Sequence, residues 1–153
     1  MTTDTNLSYW NIATNLNTCF MEGTLIMTTK GFKRIEKITS NDQIKFGDFI
    51  FPVHSLIKSI NLTGHMVLFT EKSLTSQIPF MNTYISCNHK VYSEGKWKPA
   101  IDFVNKKTIK LIKTGNITVY NVLAKEHHSM IANGMIVETL DPQNVIIESH
   151  IFN

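Results

Sequence analysis

The chain has 153 residues, about one domain by length, and a globule of that size buries roughly 70% of its unfolded surface, so its core needs no disulfide staples. Apolar residues make up 42% and charged residues 18%, which excludes an intrinsically disordered chain, where charge dominates and aromatics are scarce. The net charge of +3 comes from scattered lysines, with Arg34 the only arginine, so the clustered basic and aromatic surface of a nucleic-acid reader is missing and no nucleic-acid partner is expected.

No uninterrupted apolar run reaches the roughly 18 residues of a membrane helix. The N-terminal stretch combines neither the basic nor the apolar segment of a secretory signal. The expectation is a cytoplasmic or viral protein with no membrane partner. The excess of lysine over arginine and the Ile and Asn bias suit the AT-rich genomes of some large viruses and low-GC bacteria. Two cysteines, Cys19 and Cys87, are too few for a disulfide framework or a structural zinc site, and they read as thiols of a reducing compartment.

Residues 1–18 read as an upstream appendage, rich in Thr and Asn, with Trp10 and Ile12 in no clear period. From Gly23 on, short apolar segments alternate with turn signals. Residues 24–28 form a strand-like run before the Lys30-Gly31 turn, and 32–38 lead to the polar break Thr39-Ser40-Asn41-Asp42. The β pattern resumes over 43–46 and 49–60, and further strands are expected at 65–69, 82–85, 90–92, 108–112, 118–123, 129–132 and 135–137. Gly64, Gly95, Gly115 and Asn133-Gly134 punctuate them, the last pair a hairpin turn. Only 99–104 reads as helical, with Pro99 in its first turn, while Pro79 marks a loop or an edge. Trp97, Phe32 and the Ile/Phe-rich strands are assigned to the core. Many brief strands at spacings of about 8–12 residues predict an all-β body over 19–139, followed by a tail at 140–153.

The chemistry-bearing residues are one early cysteine and a few histidines. A thiol at Cys19 is a nucleophile where a base or an oriented amide helps it, and otherwise a small buried hydrophobe. His89 follows a predicted strand and His127-His128 precede another. A metal site is not expected, because adjacent residues on a strand point to opposite faces, so one of the His127-His128 pair should face solvent. Residue types alone leave the function open.

Three blocks in order change that. Cys19-Phe20-Met21-Glu22-Gly23-Thr24 runs through Gly31, Ile35-Glu36-Lys37-Ile38 and Asp42. Ser86-Cys87-Asn88-His89 is followed by Trp97 and Ala100. Val119-Tyr120-Asn121-Val122 leads through His128 to Ile131-Ala132-Asn133-Gly134 and Val137. In order and spacing they resemble the Hint (hedgehog/intein) family, the self-processing domain of inteins, hedgehog C-terminal domains and many bacterial and viral proteins. The second block is similar to the family's Thr-x-x-His motif, with Ser for Thr. The resemblance implies a horseshoe-like all-β fold of many short strands. It also implies a reaction in which Cys19 attacks the carbonyl of the preceding peptide bond, Thr18–Cys19, turning an amide into a thioester by an N-to-S acyl shift.

Resonance makes that amide planar, with a rotation barrier of about 18–20 kcal/mol, so the site must polarise it and protonate the departing nitrogen. By resemblance His89 acts on this amide, Ser86 orients it and His128 assists. No cofactor is required, and the chain's own upstream segment is the substrate. The acceptor of the thioester is water, a small nucleophile or a protein amine, and the unit is expected to be a monomer. With fourteen residues after Thr139, a hedgehog-like region that recognises sterols is not expected.

Two departures shape the expectation. Splicing inteins end their last block in His-Asn, whereas the aligned pair here is Glu138-Thr139, and threonine cannot cyclise to a succinimide. Full splicing is therefore not expected, and the likeness is to the non-splicing, bacterial-like branch. Asn121 stands where many members have Asp, which removes a charge near the cysteine. The β-branch of Thr18 should crowd attack on its own carbonyl. Cys87, two residues before His89, is a redox partner for Cys19 or a core thiol. An idle Hint fold kept as a structural or interaction module is the alternative, and a His/Cys metal protein a third reading. Self-cleavage separates the first two and metal analysis the third.

Overall fold

The computed structural model describes residues 18–143, and within them the expected all-β body is realised as fourteen strands. The first, β1 (Phe20–Met21), is two residues long. Then follow β2 (Leu25–Thr28), β3 (Gly31–Arg34), β4 (Gln43–Phe46), β5 (Phe49–Pro52), β6 (Ser55–Ile60) and β7 (His65–Phe69). The second half holds β8 (Thr83–Ile85), β9 (Lys90–Ser93), β10 (Lys96–Pro99), β11 (Ile109–Lys113), β12 (Thr118–Leu123), β13 (Ser129–Ala132) and β14 (Met135–Glu138). Among the described residues no helix is long and apolar enough to cross a membrane.

Tight hairpins set the register. Between β13 and β14, Asn133 and Gly134 both take positive φ (50° and 90°), the two-residue primed turn that matches strand twist. Glu94 and Gly95 do the same between β9 and β10 (52° and 79°). The predicted run 49–60 is split at Val53-His54, because Val53 N–H turns back to Asp42 O while His54 N–H reaches Leu123 O. The expected helix at 99–104 is a short 3-10 segment, Ala100–Phe103, closed by a Val104 N–H to Ile101 O bond. Two core assignments also fail. Trp97 is 41% and Phe32 47% exposed, since each lies on the outward row of its strand.

The strands form two antiparallel sheets. One has the order β11-β7-β8-β1-β12-β6, and the other β10-β9-β14-β13-β2-β4-β5 with β3 on β2. The principal core gathers Phe20, Phe69, Ile85, Tyr120 and Val122 from the first sheet with Ile26, Ile44, Met130, Met135 and Val137 from the second. Each aliphatic or Phe side chain fully buried there contributes roughly 1.5–3 kcal/mol by leaving water. A smaller cluster of Cys19, Met66 and Val119 lies apart from it.

The position of β1 follows from this order. Short as it is, it pairs with β8 on one side (Phe20↔Ile85) and β12 on the other (Phe20↔Tyr120, Met21↔Val119). A turn then carries the chain to the second sheet: Thr24 Oγ1 donates to Met21 O (2.7 Å), and Gly23 N–H donates to Glu36 Oε1 (2.7 Å). Burial works against the Glu36 carboxylate, but the Gly23 N–H and Arg34 (2.6 Å) outweigh it and hold its pKa below the usual range. The Gly-Thr and Ile-Glu elements of the first block are thus the fastening that aims β1.

Candidate active site

Continuing the register of β1 by one residue sets Cys19 opposite Ser86 on one side and Asn121 on the other. Both side chains reach the Thr18–Cys19 peptide. Asn121 Nδ2 donates to the Thr18 carbonyl oxygen at 2.5 Å. Its Oδ1 accepts the Val122 N–H at 2.7 Å, which fixes the amide the right way round for this. Across the chain, Cys19 N–H donates to Ser86 Oγ at 3.0 Å. The Ser86 hydroxyl donates in turn to Cys19 O (3.1 Å), beside the backbone bond from Ser86 N–H (2.9 Å). The oxygen and the nitrogen of one peptide bond are therefore each held by a side chain from a flanking strand.

The Cys19 side chain points into the small cluster with Met66 and Val119. It is 1% exposed, and burial pushes its thiol up to about 12, partly opposed by the Thr18 backbone. His89 lies with the other face of β1: its ring packs on Phe20, with centroids 4.5 Å apart. It is fully buried. Nε2 donates to the Glu138 carbonyl oxygen at 2.8 Å, so neutral His89 carries its hydrogen there and Nδ1 is a bare acceptor. No hydrogen bond reaches that buried Nδ1, although the Cys19 backbone lies close enough to favour the charged ring. Burial outweighs this and the pull of Glu138, taking His89 down to about 4. The imidazole is neutral at pH 7.

Other residues named from sequence lie elsewhere. His127 and His128 sit in the loop before β13 rather than on a strand. His128 stacks on Phe51 (centroids 4.2 Å, 29°) and touches Phe49 (5.1 Å). Among the described residues no hydrogen bond or ring contact joins it to the Thr18–Cys19 peptide. His127 is 2.9 Å from Glu138 Oε1. His127 is exposed, as expected of one of the pair, and His128 is half-buried, while both line one cavity of about 350 Å³ with Lys90, Trp97, Ser129 and Glu138. Thr139 is buried, its hydroxyl accepting from His128 N–H (2.9 Å) and donating to His128 O (3.2 Å). Cys19 and Cys87 are both free thiols, and they belong to different clusters, Cys87 packing against the principal core. Among the described residues no three His, Cys, Asp or Glu side chains group to hold a metal. The upstream segment, apart from Thr18, and the tail beyond Gln143 lie outside the described residues.

Asn133 was visible in the sequence as a turn residue and a member of the third block, with no role for its side chain. Its buried side chain accepts Leu25 N–H (2.8 Å) and donates to Thr83 Oγ1 (2.8 Å), tying β2 in one sheet to β8 in the other. That role depends on contacts 108 and 50 residues away, and no local signal announces it.

A search of curated proteins finds no match. Among solved structures the chain is similar to a bacterial intein-like domain from Clostridium thermocellum, with a TM-score of 0.61 at 16% identity over 80% of this chain and 98% of that one. It is also similar to a DnaB intein from Synechocystis sp. PCC 6803, with a TM-score of 0.55 at 16% identity over 80% and 99% of the two chains. A gp41-1 intein variant gives 0.55 at 15% identity over 78% and 98%. At such identities the likeness is one of fold. A profile described as the Hint domain matches residues 18–144, beginning one residue before Cys19. The chain belongs to the Hint domain family.

Proposed function

We propose that the chain cleaves its own backbone at Thr18–Cys19 through a thioester, without full splicing, residues 19–139 being the reacting unit and the segment up to Thr18 its substrate. The observation that carries this reading is the paired grip on one peptide bond, Asn121 on its oxygen and Ser86 on its nitrogen. In the reaction the bond from Cys19 Sγ to the Thr18 carbonyl carbon forms and the bond from that carbon to the Cys19 nitrogen breaks. The thiol loses its proton, the nitrogen gains one, and the products are a thioester and a free α-amine on the same cysteine.

Each neighbour has a part in that sequence. As the carbonyl oxygen becomes an oxyanion, the Asn121 N–H is already aimed at it, the kind of preorganised donor worth about 10²–10³ in rate. Ser86 holds the nitrogen's hydrogen in place and so fixes the plane of the amide. His89, neutral with a bare Nδ1 near the Cys19 backbone, takes up a proton and delivers it to the departing nitrogen. The buried thiol is a weak nucleophile until deprotonated, so the reaction is slow at neutral pH. Water, a small thiol or a protein amine then resolves the thioester. His128, the remaining residue assigned by resemblance, acts in this account on the loop that frames Glu138 and Thr139.

The reading that the fold is idle draws on that buried thiol. Hydroxylamine decides between the two, because it attacks thioesters and spares amides. A hydroxamate on Thr18 in the wild-type chain and none in Cys19→Ala supports the proposal. Equal, absent modification in both removes it.

A further inference from the structure

The pair Glu138-Thr139, at the place where splicing inteins release a downstream segment, makes contacts that bear on the upstream bond. The Glu138 carbonyl oxygen accepts the His89 ring hydrogen at 2.8 Å. Its carboxylate reaches the same residue from behind, Oε2 accepting at 3.1 Å from the N–H of Lys90, the peptide that leaves His89. The regular pairing of β14 with β9 ends at Val137↔Val91, so this carboxylate stands where the next backbone partner would be. Oε1 is held at 2.9 Å by His127 Nε2, which limits rotation of the carboxylate. Two further backbone bonds fix His89 itself: its N–H donates to Ser86 O (3.0 Å), and its carbonyl accepts Ala100 N–H (2.8 Å).

We propose that Glu138 is a positioning residue for His89, gripping it by ring and by backbone so that Nδ1 is always the bare nitrogen. A neutral imidazole has two tautomers, and a carbonyl can only accept, so an ordered Glu138 carbonyl selects the Nε2–H form. The side chain supplies the order: it pins the end of β14 to the backbone next to His89, and His127 pins the side chain. The pair that cannot release a downstream segment thereby serves the upstream bond. This inference rests on the self-cleaving reading for its catalytic consequence, though not for its geometry.

The test pairs Glu138→Ala with Glu138→Gln. Alanine keeps the carbonyl but removes the anchor, and cleavage should slow about tenfold, the scale of losing an orienting partner. Glutamine still offers an oxygen to Lys90 N–H and should recover most of the rate. The second readout is ring ¹⁵N NMR of His89 in chains that also carry Cys19→Ala and cannot cleave. With Glu138 present a single Nε2–H tautomer is expected, and with alanine a mixture. Circular dichroism confirms that each variant is folded. A folded alanine variant with the same tautomer and rate as its parent overturns the proposal, as does a glutamine variant no better than alanine. If no variant cleaves, including the parent, the self-cleaving reading falls, and the tautomer comparison alone then decides the role of Glu138.

Discussion

The two ends of the Hint domain treat their polar groups differently. At the upstream end, side chains from β12 and from Ser86, just past β8, converge on a peptide bond, and a buried imidazole nitrogen is left without a hydrogen bond. At the downstream end the Glu138 and Thr139 side chains are engaged in holding structure. The Thr139 hydroxyl both accepts from and donates to the His128 backbone, and the Glu138 carboxylate is divided between His127 and Lys90. An unpartnered buried nitrogen costs free energy, and a role in the chemistry accounts for its being kept. That contrast is why the chemistry is assigned to Thr18–Cys19 and not to residues 138–139.

The most severe way to test this contrast, short of the nucleophile itself, is Asn121. Replacing it by Asp keeps an oxygen for the Val122 N–H but turns the group facing the Thr18 oxygen from donor to acceptor. Cleavage should fall by about 10²–10³-fold, as for loss of an oxyanion donor, measured by the appearance of the 19–153 fragment. An Asp variant as fast as the parent would show that the amide hydrogen is not what matters, and the upstream end would lose its main distinction.

The pH dependence follows from the two buried groups. With the thiol held near 12, the thiolate fraction grows about tenfold per pH unit across the accessible range. Because the step also needs His89 protonated, and that fraction falls about tenfold per pH unit above 4, the cleavage rate should stay nearly flat from pH 6 to pH 9 with no step near the ordinary thiol value. Stability changes at the acid end. His89 prefers its neutral form when folded, near 4 against an ordinary 6.5, so its contribution is complete above about pH 6.5 and is lost as pH falls toward 4. Urea denaturation at pH 7, 5.5 and 4.5 should show that decline. For Cys19, raised from 9.0 to about 12, stability is complete below about pH 9 and declines above it.

A smaller effect is expected downstream. Thr139→Ala leaves the His128 N–H without its partner and should cost about 1 kcal/mol of stability, with upstream cleavage little changed. Thr139→Asn should release no downstream segment, since Glu138 stands where splicing inteins have His. Smallest is Thr18→Gly, which removes the β-branch beside the attacked carbonyl and should cleave modestly faster under matched conditions. A glycine variant no faster than the parent removes crowding from the account.

Much of the strand order was legible because turn residues and alternating burial are local. Strands at 65–69, 118–123 and 129–132 were read with the bounds they have, and Asn133-Gly134 was read as the turn it is. β1 was not legible, since two residues carry no periodicity, and its pairing is imposed by β8 and β12. β10 was not read as a strand, since Trp97 was assigned to the core and Pro99 to a helix, while the Glu94-Gly95 turn folds Lys96–Pro99 back on β9. For the site, the block resemblance drew attention to Cys19, Ser86, His89 and Asn121, and these four do converge in space. The sequence could not supply their manner of contact. Asn121 read as a missing charge and is a hydrogen-bond donor. Glu138 read as a lost splicing residue and holds His89. Both facts live in strand register and in backbone atoms, which residue identity does not encode.

The central claim is that Cys19 forms a thioester with Thr18. Intact-mass spectrometry of freshly prepared, reduced protein, incubated at neutral pH with and without an added thiol beside Cys19→Ala, tests it most directly. The account predicts loss of residues 1–18 from the parent chain alone, faster with the thiol, leaving a fragment that begins at Cys19. A parent chain that keeps its full mass under every condition, or a Cys19→Ala chain that breaks at the same bond, would contradict it.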